Sequence, residues 1–111
     1  MNRIRHLVGS ICVVGALASS QVAAQEIGHA AAGRTLARQL CSECHAVERT
    51  QALSPDNAAP RFETIANVPG MTGAALSVAL QRSHELMPNV ILDANQLSDI
   101  VTYVLSLRRA D

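Results

Sequence analysis

The chain has 111 residues, 49% of them apolar, and its nine basic residues, all arginine, balance nine acidic ones to a formal net charge of zero. With no lysine, one phenylalanine, one tyrosine and no tryptophan, it has no basic stripe interleaved with aromatics, which argues against nucleic acid as a partner. A chain of this length builds one domain with a small core of its own, and no repeat, linker or second domain is visible.

Met1-Asn2-Arg3-Ile4-Arg5-His6 is a short basic stretch, and Leu7 to Ala18 is an apolar run interrupted only by Ser10. That run is too short to span a bilayer comfortably. Val22-Ala23-Ala24 places small residues at the −3 and −1 positions of a signal-peptidase site. Residues 1–24 are therefore expected to be a signal peptide cut before Gln25, which directs the chain to the periplasm; an uncleaved signal anchor is the alternative. Cys12 falls inside this segment as a small hydrophobe. The remaining domain, 25–111, has no membrane span, holds seven arginines against nine acidic residues, and keeps only Cys41 and Cys44 as cysteines.

The first predicted helix runs from about Ile27 to Leu40. Ala30, Gly33, Ala37, Leu40, Cys41 and Cys44 recur at intervals of three and four, which predicts one stripe facing a common interior. Its end carries Cys41-Ser42-Glu43-Cys44-His45, the C-x-x-C-H attachment signature of a c-type haem. Two thiols at i and i+3 and an imidazole at i+4 of one helical turn meet one porphyrin, the thiols adding to its vinyl groups and the imidazole reaching the iron. Zinc and dithiol chemistry are the competing readings. Zinc needs further ligands, yet no cysteine follows Cys44 and the only later histidine is the isolated His84. A dithiol site belongs after a strand, and none is predicted before Cys41.

Glu48 to Pro60, rich in Ser, Pro, Asp, Asn and Ala, reads as an irregular loop. Arg61 to Asn67 forms a short helix that Val68-Pro69-Gly70 ends. Thr72 is the expected N-cap of the next helix, with Leu76, Ala79, Leu80 and Ser83 on one face. Pro88 disfavours a helical conformation at the residue before it, so Met87 is expected in extended chain. Asp93 and Gln96 make a capping-box pair for the last helix, Leu92 can staple onto Leu97, and Leu97, Ile100, Val101, Val104 and Leu105 form its apolar stripe. With Phe62 and Tyr103 as the only aromatics, a tethered haem would supply the bulk of the core.

From Gly33 and Leu36 through Cys41-Ser42-Glu43-Cys44-His45, then Pro60, then His84-Glu85-Leu86-Met87-Pro88-Asn89, then the segment from Leu97 to Leu107, the chain resembles the class I c-type cytochromes, and most closely the small bacterial periplasmic monohaem members. The resemblance spans essentially everything after the signal. It implies an all-α cytochrome c fold, three main helices plus a short helix and loops wrapped around one covalently bound haem. It implies Cys41 and Cys44 as thioether sites of haem c, His45 as proximal and Met87 as distal iron ligand, and Pro60 as the carbonyl that receives the His45 Nδ1 proton. Gly33 would be the contact point with Tyr103 where the first and last helices cross. Two departures stand out: Leu36 replaces a frequent aromatic, and no tryptophan is present to bond a propionate, for which Arg82 and His84 are the candidates.

Met71 and His84 compete with Met87 as distal ligand. Met71 follows Gly70 directly and is expected to cap or pack against the second main helix, and His84 suits a helix C-terminus. Met87 sits in the extended, proline-fixed turn. The function implied is a periplasmic monohaem electron carrier cycling between ferric and ferrous iron and not an enzyme. The alternatives are a haem-based gas sensor, which needs an open iron position, and a redox subunit of a larger oxidoreductase complex. Redox proteins are the expected partners of a monomer or complex subunit, met through a small apolar patch including Met71 and Leu86-Met87-Pro88. Arg34 and Arg38, on one helix face, are the basic alternative.

Overall fold

The computed structural model describes residues 28–82 and 86–110. The signal-peptide expectation for residues 1–24, the start of the first helix at Ile27, and the expectations for Ser83 and His84 lie outside the described residues. Every regular element among the described residues is a helix: α1 (Ala30–Leu40), α2 (Phe62–Ala66), α3 (Gly73–Gln81) and α4 (Ala94–Ser106). This is the all-α arrangement expected.

Hydrogen bonding sets the helix boundaries. Thr72 Oγ1 accepts from Ala75 N at 3.1 Å and opens α3. Asp93 and Gln96 form the full capping box of α4: Asp93 Oδ1 accepts from Gln96 N at 2.8 Å, and Gln96 Oε1 accepts from Asp93 N at 3.0 Å. Gly70, at φ 76°, takes the left-handed turn between α2 and α3 that a side chain would strain.

α1 and α4 make the principal packing contact, and α2 and α3 lean on α4. The crossing is close because of Gly33. A Cβ there would lie 2.8 Å from Tyr103 Cβ and would run into the Asp99 carbonyl. Asp99 also reaches back to the chain entering α1, its Oδ1 accepting from His29 N at 2.6 Å. Around this crossing the core gathers Ala37, Val47, Phe62, Ala66, Leu76, Ile100, Val101, Tyr103, Val104 and Leu107. Both aromatic side chains are among them.

The α1 stripe divides where a single face was expected. Gly33 and Ala37 are buried in the fold, whereas Leu40, Cys41 and Cys44 lie beyond the crossing and line a cavity. On α4, Tyr103 and Leu107 are as buried as the predicted stripe, while Leu97 and Leu105 are only partly so. The physical reason is the near approach at Gly33, which brings a second face of α4 into contact with α1.

Candidate haem site

α1 ends at Leu40, and the chain turns tightly through the C-x-x-C-H pentapeptide. Cys41 N still donates to Ala37 O at 2.9 Å, and His45 N donates to Cys41 O at 2.9 Å, so one turn carries both thiols and the imidazole. Burial pushes the Cys41 thiol up from its usual range. A dithiol redox motif needs the opposite shift, toward thiolate.

This turn forms one side of a cavity of about 450 Å³. Cys41, Cys44, His45 and Pro60 line it, and the later chain contributes Ile65 from α2, Leu76, Ala79 and Leu80 from α3, and Leu86, Met87 and Pro88. Met71 lines it as well. It also packs against the core cluster that includes Leu76 of α3, and Arg108 donates to its carbonyl oxygen. Both candidate thioethers among the described residues therefore reach the same space. Arg82, the propionate candidate, is exposed and is not among the lining residues.

The His45 ring is held on two counts. Nδ1 lies 2.7 Å from the Pro60 carbonyl oxygen, and the ring centroid is 5.4 Å from that of Phe62, tilted at 53°. With the Nδ1 proton donated to Pro60, Nε2 is the nitrogen free to bind a metal. Phe62 N donates to Ala46 O at 3.0 Å, which fixes the 60–62 segment against the turn.

Two charge clusters that the sequence did not single out flank the site. Glu48 accepts from Arg34 Nε at 3.0 Å and Arg38 Nε at 2.6 Å, and these guanidiniums hold its carboxyl below the usual carboxylate range. Arg34 and Arg38 are thus tied to a carboxylate and do not form an unopposed basic docking patch. Tyr103 Oη donates to Val47 O at 2.7 Å, and burial, with the neighbouring Glu48 charge, pushes its phenol up. The second cluster surrounds Glu63. Its partner Arg61 lies two residues away, whereas Arg49 and Arg109 come from distant parts of the chain, so no local pattern announced the whole cluster.

Among models of protein families, that of cytochrome c matches residues 30–108. Cytochrome c-552 of Bradyrhizobium diazoefficiens is 36% identical over 105 residues, covering 93% of this chain and 96% of the relative. The chain belongs to the cytochrome c family. No solved structure matches it significantly.

As a cytochrome c, the chain is a haem electron carrier whose haem c is bound covalently, and Cys41 and Cys44 stand in the attachment spacing. The cavity fits that group. Its walls are largely apolar, its two thiols and imidazole share one turn, and among its lining residues only Glu43, Asp56 and His45 carry titratable side chains other than the thiols. The family also settles the competing zinc and dithiol readings.

Proposed function

We propose that this cytochrome c is a periplasmic monohaem carrier in which Cys41 and Cys44 form the thioethers, His45 is the proximal ligand and Met87 the distal ligand. Residues 1–24 serve as the signal peptide in this reading, and 25–111 form the haem domain. No helix among the described residues is long and apolar enough to cross a membrane.

The observation that carries the ligand reading is the pairing of His45 Nδ1 with Pro60 O at 2.7 Å. It presents Nε2 toward a cavity that Met87 lines from the other half of the chain. Bound there, the haem supplies one-electron chemistry at its iron. The Pro60 carbonyl orients the imidazole and raises its basicity. The Met87 thioether, a soft donor, favours the ferrous state and raises the potential. The apolar walls from α3 exclude water, so charge reorganises little when an electron enters or leaves. A carrier needs only this. A gas sensor would need a vacant iron position, which Met87 fills in the proposed ligation.

Met71 shares the cavity, so the deciding experiment compares Met87→Ala with Met71→Leu. Met87→Ala is expected to abolish the weak sulfur-to-iron charge-transfer band of the ferric protein, lower the potential and open the iron to imidazole or carbon monoxide. Met71→Leu is expected to keep the band. Loss of the band in Met71→Leu alone transfers the role to Met71, and rapid carbon monoxide binding by the wild type favours the sensor.

A further inference from the structure

Glu63 is the only charged side chain in the interior of the described residues, with 9% of its surface exposed. It lies in the first turn of α2, and three guanidinium groups converge on its carboxylate. Arg61 Nη2 donates to Oε2 at 2.8 Å, Arg109 Nε donates to Oε1 at 3.4 Å, and Arg49 Nη1 stands 4.0 Å from Oε1. Burying this carboxylate carries a desolvation cost that its attractions to partly exposed guanidiniums need not recover, and an apolar residue often stabilises such a position better. What the carboxylate holds in place is therefore the informative question.

It holds Arg61. That residue lies between Pro60, whose carbonyl oxygen faces His45 Nδ1, and Phe62, whose ring faces the same imidazole. Arg61 Nε is buried without a hydrogen-bond partner, and the bond from its Nη2 to Arg49 O is long at 3.5 Å. The Glu63 carboxylate is thus the strong anchor of this side chain. Arg49 in turn donates to the carbonyls of Ser106 and Arg108, so the cluster is braced against the end of α4.

We propose that Glu63 is a positioning residue for the proximal ligand. By anchoring Arg61 it fixes the Pro60 carbonyl on the Nδ1 proton of His45 and so sets the basicity of the imidazole. This rests on the reading of His45 as an iron ligand. A firm acceptor gives the ring more imidazolate character, which favours ferric iron; a loosened one favours ferrous iron and raises the potential.

Glu63→Gln and Arg61→Gln in the holoprotein test it, read by reduction potential and by the hydrogen-exchange rate of His45 Nδ1–H. Both variants loosen the same segment. Both are expected to raise the potential, and both to speed exchange by about tenfold as the local structure opens more often. A simple charge effect predicts opposite signs, up for the lost carboxylate and down for the lost guanidinium. Opposite signs overturn the proposal, as does a lowered melting temperature with exchange and potential unchanged. If Glu63→Gln does not accumulate, Arg61→Gln decides alone: a raised potential with faster exchange supports the role, and any other result overturns it. The ligand reading is checked separately, because a wild-type ferric protein without a hyperfine-shifted His45 ring defeats that reading whatever the variants do.

Discussion

Glu48 connects three parts of the molecule through one carboxylate. It takes hydrogen bonds from Arg34 and Arg38 on α1, and Tyr103 Oη on α4 stands 3.4 Å from its Oε2. Because the arginines hold its folded-state pKa below the unfolded value, Glu48 contributes stability above the unfolded carboxylate range, and that contribution is lost as pH falls through the folded value. Melting temperature followed from pH 7 downward should therefore fall more steeply in the wild type than in Glu48→Gln, with the two curves converging in acid. Curves that stay parallel would show that the cluster makes no pH-dependent contribution. None of this was legible in the chain, because Glu48 sits in a segment that reads as loop and its partners lie 10, 14 and 55 residues away. The haem-binding pentapeptide was legible for the opposite reason: its chemistry is confined to five consecutive residues.

Elements whose signals are local were the readable part of the fold. The Thr72 cap and the Asp93–Gln96 box each close hydrogen bonds across three residues, so residue type at fixed spacing suffices to find them. The division of the α1 stripe was not readable, since a 3.6-residue period reports that a face is apolar and not what it meets. Likewise, spacing placed Met87 and Met71 in different roles, yet the fold brings both to one cavity. The α1–α4 crossing gives the sharpest test at this scale. Gly33→Ala adds a methyl against the Asp99 backbone carbonyl and Tyr103 Cβ, neither of which is a flexible side-chain end. Alanine's better helix propensity returns about 1 kcal/mol, but overpacking a close helix contact costs about 1–3 kcal/mol, and more where backbone must move. The expected outcome is a net loss in urea unfolding, with Tyr103 fluorescence reporting a changed environment. A Gly33→Ala protein as stable as the wild type would mean the helices separate at little cost.

Among the described residues the charges are distributed unevenly about the haem crevice. Arg34 and Arg38 sit on Glu48, Arg49, Arg61 and Arg109 gather at Glu63, and Arg108 donates to the carbonyls of Ala66 and Met71. Among the described residues no arginine lines the cavity, whereas Glu43 and Asp56 do, and both are exposed. Among the described residues lining the crevice, a small ion therefore meets two carboxylates and no guanidinium. In water, each contributes about 0.5 kcal/mol at about 8 Å to a singly charged reactant, enough for a few-fold rate effect. A cationic metal complex should consequently oxidise the ferrous protein faster than an anionic one of equal driving force at about 10 mM salt. The gap should close at about 150 mM, where the screening length shrinks to about 8 Å. Stopped-flow rates with the two oxidants measure it, and Glu43→Gln with Asp56→Asn should narrow the low-salt gap. Asn at 56 can still accept the Ala58 N–H, which now reaches Asp56 Oδ1 at 2.9 Å, so the loop keeps its turn and only the charge is removed. A faster anionic oxidant would place positive charge at the crevice and return Arg34 and Arg38, despite Glu48, to the role of docking surface.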